Sequence, residues 1–189
     1  SNGHRWGKQI FFMGIAILGI GLFWMQKDHY KAYQQWNKAQ MFYNNKAYEA
    51  ALEVYEPLYP LLKHKPEFLF EAAQSLSKTG QYEKANEYLE RAVLLSSDPM
   101  LYYVMAKNEQ CLGEYRQAEK HLLHAIDILP ERIYPYYLLM NLYTEPSYFQ
   151  PAKLKKAIDS VLTKKPKVES SAIKEMKEKA RSMLNNTSI

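Results

Sequence analysis

An internal repeat is the feature that most constrains the fold of this chain. The segment TGQYEKANEYLERAV at residues 79–93 aligns with LGEYRQAEKHLLHAI at residues 112–126. Four pairs of matching residues lie 33 positions apart, namely Gly80 and Gly113, Tyr82 and Tyr115, Ala85 and Ala118, and Ala92 and Ala125. A period of this length is typical of solenoids, in which each repeat buries its apolar face against the next one.

The residue types at these positions resemble the tetratricopeptide pattern, a pair of helices of about 34 residues. Glycine makes the tight turn between the helices, the tyrosine fills the wedge beside it, and the alanines let the helices approach closely. Pro130 follows the second copy where the pattern places a proline. An earlier copy at residues 45–51 has Tyr48 in register, 34 residues before Tyr82, but it lacks the turn glycine.

The segments after these copies extend the helical pattern. A fourth unit begins at Arg132 and continues, after a turn at 145–147 that departs from the pattern, with a second helix at 151–163. Residues 170–184 begin with a serine cap and form a charged amphipathic pattern, which suits an end cap. The low content of 7 Gly also favours helices over strands. We predict an all-α tetratricopeptide-type helical solenoid of three to four helix pairs plus a C-terminal capping helix, spanning 30–184.

An apolar segment precedes the repeats. Residues 10–25 read IFFMGIAILGIGLFWM, without a charge, between Lys8 and Lys27. The segment is shorter than the roughly 20 residues that cross a bilayer, but it has no polar face and no signal-peptide cleavage site follows it. We predict a membrane-anchor helix at 10–25, a tag or flank at 1–9, and a disordered tail at 185–189.

The first helix of each pair is expected to line the concave face of the solenoid. These helices are predicted at 33–44, 67–78, 100–111 and 134–143. Helix-spaced positions on them give the predicted groove residues: Tyr33, Trp36, Gln40, Tyr43, Phe70, Gln74, Lys78, Met100, Tyr103, Lys107, Tyr134, Tyr137 and Asn141. Such a surface suits an extended peptide or a sugar chain. The alternative is that aromatic residues at this spacing pack between the helices.

Several function classes find no support in the sequence. The chain has no phosphate-binding, dinucleotide-binding, nucleophile-elbow or zinc-protease motif. His121 and His124 lie three apart on one predicted helix without an acidic or cysteine partner beside them, so we predict neither a metal site nor a cofactor. The basic excess is confined to 151–189, with 10 basic and 4 acidic residues, and is read as a solvated helix face rather than a nucleic-acid site.

Residues 43–184 resemble the C-terminal repeat region of bacterial O-antigen ligase-like or polymerase-like inner-membrane proteins. The most family-like parts are LPERIYPYYLLMNLYTEPSYF at 129–149 and KKPKVESSAIKEMKEKAR at 164–181. In such proteins a multi-helix membrane domain carries the catalytic residues, so the apolar helix would be its last membrane helix and no catalytic residue transfers to this chain. The resemblance implies a non-catalytic protein-interaction module in polysaccharide assembly at the bacterial inner membrane. The alternative is a groove that binds glycan or peptide directly.

Overall fold

The computed structural model describes the backbone of residues 2–186 and the side chains of residues 5–185, and in this range it contains helices and no strand. The predicted all-α fold is confirmed. The helices are α1 (Asn2–Asn44), α2 (Tyr48–Leu62), α3 (Pro66–Lys78), α4 (Tyr82–Val93), α5 (Pro99–Leu112), α6 (Tyr115–Ile128), α7 (Tyr134–Leu142), α8 (Pro151–Thr163) and α9 (Ser171–Asn186). A short 3-10 turn, Pro146–Tyr148, separates α7 from α8.

The ends of the chain differ from the simple boundaries of the prediction. Helix α1 already begins at Asn2, within the predicted flank at 1–9, and α9 continues to Asn186. Of the predicted tail at 185–189, residues 187–189 lie outside the described residues, as does Ser1.

The chain divides into two compact units, Ser1–Lys63 and His64–Ile189. In the first unit α1 packs on α2, with Ala32 and Ala39 of α1 buried. In the second unit each helix packs on the next, from α3 to α9. The first helices α3, α5 and α7 also touch in sequence, and α7 touches α9, so they form a layer of their own.

The turns within the first three helix pairs share one geometry. Lys46, Gly80 and Gly113 occupy equivalent positions and have left-handed φ angles of 60°, 80° and 78°. In each turn the N–H of the following residue donates to the carbonyl oxygen five positions earlier, at 2.9, 2.9 and 2.8 Å. This is the hydrogen bond of a Schellman helix end. The first copy therefore makes the same turn without glycine, because Lys46 adopts the conformation that glycine adopts in the other two.

The alanines of the repeat lie where two helices approach. Ala85 and Ala92 of α4 and Ala118 and Ala125 of α6 are all 0% exposed. Each helix presents its alanines at positions seven apart, which places them on one face. Small side chains on this face allow the close packing of helices within and between pairs.

Helix α1 joins the predicted anchor to the first helix of the first pair without a break. Residues 26–32 contain neither glycine nor proline, so nothing interrupts the helix there. Within the described range, α1 is the one helix long and apolar enough to span a membrane. Its apolar side chains are exposed, with Ile17 at 65% and Leu18 at 68%.

The fourth pair departs from the repeat because its turn is longer. The 3-10 turn and the start of α8 are held against α6, since Tyr148 and Lys153 both bond to the carboxylate of Glu119. The ring of Tyr148 also stacks on Tyr115 of α6, with 5.7 Å between the ring centroids. These contacts replace the left-handed turn of the other three pairs.

Candidate docking surface

The predicted groove residues of the first unit lie on α1. Tyr33 is 39% exposed, and its ring lies 5.8 Å from the ring of the half-buried Trp36. Gln40 is half-buried as well. Tyr43 meets Tyr48 of α2 edge-on at 6.1 Å, so this residue packs between the two helices. Of the four predicted groove residues on α1, Tyr33 is therefore the one whose aromatic ring is exposed.

The other nine predicted groove residues lie on α3, α5 and α7, the contacting first helices of the second unit. Lys78, Met100 and Lys107 are exposed. Those that are half-buried are Phe70, Gln74, Tyr134, Tyr137 and Asn141. Tyr103 lies deeper, at 4% exposure. We call these nine residues the first-helix layer.

Three tyrosines of this layer form a row of ring contacts. Tyr103 meets Tyr134 edge-on at 5.2 Å, and Tyr134 stacks on Tyr137 at 6.4 Å. The Lys179 ammonium of α9 lies 5.4 Å from the centre of the Tyr137 ring. Burial raises the pKa of both Tyr103 and Tyr134, so both remain protonated hydrogen-bond donors at neutral pH. The packing alternative considered for the aromatic positions thus applies to Tyr103, whose ring is enclosed by its neighbours.

Two polar atoms of the first-helix layer are buried without a hydrogen-bond partner. They are the hydroxyl oxygen of Tyr103 and the side-chain oxygen Oδ1 of Asn141. Among the side chains that the structure describes, these are the buried polar atoms without such a partner. Leaving a buried polar group unpaired costs about 1–3 kcal/mol. Both atoms belong to residues that were predicted for binding from helical spacing alone.

Two neighbouring cavities open where the layer meets the α6–α7 connection. One of about 390 Å³ is lined by Asp98, Pro99, Met100, Tyr103, Leu129, Arg132 and Tyr134. The other, of about 370 Å³, is lined by residues 129–134, residues 165–168, Ile173 and Met176. They share Leu129, Arg132 and Tyr134. The sequence does not indicate these cavities, and the basic excess at 151–189, which includes Lys165 and Lys167, is the one signal that points toward them.

The two histidines of α6 have partners that their sequence neighbourhood did not reveal. Nδ1 of His121 lies 2.9 Å from the buried carboxylate of Glu109 on α5. The ring of His124 meets Tyr102 edge-on at 4.7 Å. In the part of the chain that the structure describes, no group of three or more histidine, cysteine, aspartate or glutamate side chains could hold a metal ion.

Comparison with known proteins finds similarity in sequence and in fold. A family model described as anaphase-promoting complex, cyclosome, subunit 3 matches residues 44–125, which is less than half of the chain. No curated protein sequence matches the chain significantly.

Solved structures of similar fold cover most of the chain. A crystal structure of MamA protein is 17% identical and covers 82% of this chain and 88% of its own, with a TM-score of 0.65. MamA 41-end from Desulfovibrio magneticus RS-1 is 19% identical and covers 84% of this chain and 98% of its own, with a TM-score of 0.64. A structure of the APC/C hetero-tetramer Cut9-Hcn1 is 13% identical and covers 79% of this chain and 29% of its own, with a TM-score of 0.63. Together with the repeat and its turns, these likenesses show that the chain has a tetratricopeptide-type helical fold.

Proposed function

We propose that this chain is a non-catalytic docking module that binds an extended segment of a protein partner on the first-helix layer. The observation that carries the proposal is the pair of unpartnered buried atoms on Tyr103 and Asn141. An extended peptide offers both N–H donors and C=O acceptors along its main chain. The Tyr103 hydroxyl can donate to a peptide carbonyl, and the Asn141 oxygen can accept from a peptide N–H. A segment that reaches both atoms, after the side chains that cover them shift aside, recovers the cost of their burial.

The exposed lysines of the layer support the same reading. Lys78 and Lys107 lie on α3 and α5, and their ammonium groups are available to orient a bound segment. Met100 adds a flexible apolar contact that is 40% exposed. The layer therefore combines apolar area, side-chain hydrogen-bonding groups and charge, which is what recognition of an extended segment requires.

Direct glycan binding is the second proposal, and a different place favours it. Sugar recognition needs an accessible aromatic face, whereas the rings of Tyr103, Tyr134 and Tyr137 contact one another. Tyr33 on α1 is more accessible, and Trp36 lies beside it. If glycan binds this chain, Tyr33→Ala should weaken binding of the purified surface polysaccharide, and Tyr137→Ala should not. Equal binding by wild type and both variants would remove the glycan proposal.

Helix α1 is proposed to anchor the module in a bacterial inner membrane. Its apolar side chains at 10–25 are exposed, and a patch of this size is unfavourable in water. Protease treatment of spheroplasts and of inverted vesicles tests both the anchor and its orientation. Cleavage of residues 64–189 in one preparation but not in the other supports the anchor, whereas release of the intact chain by a carbonate wash contradicts it.

The resemblance of 129–149 and 164–181 to O-antigen ligase-like proteins supports a finer proposal, that the docking module serves a glycan-assembly enzyme. Replacing residues 64–189 in the host by a flexible linker should alter the length distribution of the surface polysaccharide while the protein still reaches the membrane. An unchanged distribution would remove this context and leave the docking proposal in place.

Site-specific photo-cross-linking tests the docking proposal itself. A photoreactive residue replaces Lys107 on α5 in one version of the full chain and Lys120 on α6 in the control. Both lysines are exposed, but only Lys107 belongs to the first-helix layer. In native membranes we expect a defined protein adduct from position 107 that is absent from position 120. Adducts of equal yield at the two positions, or none at 107, would contradict docking on this layer.

A further inference from the structure

We propose that the two adjoining cavities beside α7 select a partner segment in which a bulky apolar side chain stands next to an acidic one. This inference rests on the proposed docking function and gives the chemistry of the segment that is docked. It assigns the segment to the α6–α7 and α8–α9 connections, which extend the first-helix layer at one edge.

The cavity walls account for the apolar side chain. Val168 is 75% exposed, and Leu129 and Met100 are each 40% exposed, although all three side chains border the cavities. Ile173 and Met176 of α9 are half-buried and also line the 370 Å³ cavity. Cavities of roughly 300–1,000 Å³ with apolar walls are the usual size of pockets that bind small groups. Filling this one with an apolar side chain removes exposed apolar surface from water.

The charges at the rim account for the acidic side chain. Arg132 borders both cavities, and Lys165 and Lys167 border the 370 Å³ cavity. Within the described range no ion pair joins any of these three cations to a carboxylate. Asp98 also borders one cavity, where its carboxylate accepts the N–H of Met100 at 2.9 Å and caps α5. The rims therefore hold three basic groups against the two carboxylates of Asp98 and Glu131, and an incoming carboxylate complements this net positive charge.

The adjoining cavity favours a peptide over a lipid. Tyr103 lines that cavity, and its buried hydroxyl lacks a hydrogen-bond partner. A peptide main chain running from one cavity to the other can supply a carbonyl acceptor once the side chains that cover the hydroxyl shift, whereas the acyl tail of a lipid carries no acceptor and its phosphate would stay at the basic rim. A protein segment thus satisfies the apolar wall, the basic rim and the unpartnered hydroxyl together.

Peptide selection on the full chain in detergent micelles tests this assignment. A phage library of random peptides is selected on the wild-type chain, and the affinity of the enriched peptides is measured by fluorescence anisotropy. We expect the enriched peptides to share a bulky apolar residue adjacent to aspartate or glutamate. Peptides without this pair, or no enrichment at all, would overturn the proposal.

Neighbouring residues of opposite charge provide the matched control. Arg132→Gln should weaken binding of the enriched peptide about tenfold, the loss expected for one charged hydrogen bond. Glu131→Gln should leave the affinity unchanged or raise it, since both residues are exposed and differ mainly in charge. Equal weakening by the two variants would indicate a general disturbance of the connection and overturn the assignment.

Val168→Ser should weaken binding about threefold with little effect on thermal unfolding, because its side chain is mostly exposed.

The outcomes separate this inference from the docking proposal. A peptide that binds with the same affinity to wild type, Arg132→Gln and Val168→Ser overturns the cavity assignment, while a Lys107 cross-link keeps the docking proposal standing. Displacement of the enriched peptide by short-chain phosphatidylglycerol, but not by an acidic competitor peptide, assigns the cavities to lipid and overturns the inference as well.

Discussion

The hydroxyl of Tyr143, the residue that follows α7, donates a hydrogen bond of 2.6 Å to Oε1 of Glu119 on α6. Tyr148 donates to Oε2 of the same carboxylate at 2.6 Å, and the Lys153 ammonium donates to Oε1 at 2.7 Å. Burial by itself would raise the pKa of Glu119, but the bonds from Lys153, Tyr143 and Tyr148 lower it below its ordinary value. Burial and the bond to Glu119 raise the pKa of Tyr148 to about 12. One carboxylate thus fastens the irregular fourth pair to the third.

Replacing Glu119 should make the free energy of unfolding depend less on pH in the acid range. Because the folded state favours the carboxylate, Glu119 stabilises the fold above its ordinary pKa of 4.5, and this contribution is lost as the pH falls through the lowered folded pKa. At pH 7 we expect Glu119→Gln to reduce the free energy of unfolding by about 1–2 kcal/mol. Denaturant unfolding should show this difference shrinking below about pH 4.5.

The control for Glu119 is Glu90→Gln, a change of an exposed glutamate on α4. It should alter the free energy of unfolding by less than about 0.5 kcal/mol. A difference between wild type and Glu119→Gln that stays constant from neutral to acid pH would contradict the account of the Glu119 carboxylate.

Two tyrosine-to-phenylalanine changes should have opposite consequences. Tyr143→Phe removes the donor to Glu119 and should cost about 1–2 kcal/mol of unfolding free energy. Tyr103→Phe removes a buried hydroxyl without a partner, so the isolated chain should be as stable as wild type or more so. If the docking proposal holds, the same Tyr103→Phe change should reduce the Lys107 cross-link. Strong destabilisation by Tyr103→Phe would mean that the hydroxyl is already satisfied within the fold.

Introducing glycine at Lys46 and removing it at Gly113 should change the stability of the chain in opposite directions. Lys46 has φ +60°, which costs a residue with a Cβ about 1 kcal/mol, so Lys46→Gly should stabilise the chain by up to that amount. Gly113→Ala should destabilise it by about 1 kcal/mol. A Cβ at Gly113 would meet no atom within 4 Å, so the cost arises from the backbone angle alone. Thermal unfolding of the two variants measures both changes in stability. Shifts of the unfolding temperature in the same direction would refute the shared turn geometry.

The buried alanines should not accept larger side chains. Ala118 is 0% exposed on α6, and leucine there should cost about 1–3 kcal/mol through overpacking. Ala152 on α8 is exposed and provides the control, because leucine at that position extends into solvent. Urea unfolding should show a lower free energy of unfolding for the Ala118→Leu variant than for the Ala152→Leu variant. Equal stability would indicate that the helices are not in close contact at Ala118.

The regular parts of the fold followed from the sequence because their causes are local. Glycine and alanine at a spacing of 33 fix both the turn and the close helix face, so the bounds predicted for α3 and α5 agree with the structure to within one residue. The turn at Lys46 could be placed by register, but its left-handed angle could not be anticipated from lysine itself.

The contacts that join distant segments could not be read in advance. Glu119 and Lys153 are 34 residues apart, and Glu109 and His121 belong to different helices. Helical spacing placed Tyr103 and Asn141 correctly on the first helices, but it could not tell that their polar atoms would be buried. The cavities around Arg132 depend on how two connections meet, which no periodicity encodes.

Chemical protection of Cys111 is the most direct test of docking on the first-helix layer. This single cysteine is exposed on α5, four residues after Lys107, and so continues the stripe of Met100, Tyr103 and Lys107. Maleimide labelling of the full chain is timed with and without the partner segment identified by cross-linking. The control carries Leu123→Cys on α6 in a Cys111→Ser background. We expect the segment to slow labelling of Cys111 and not of the control. Unchanged labelling of Cys111, or protection of the control alone, would contradict the account.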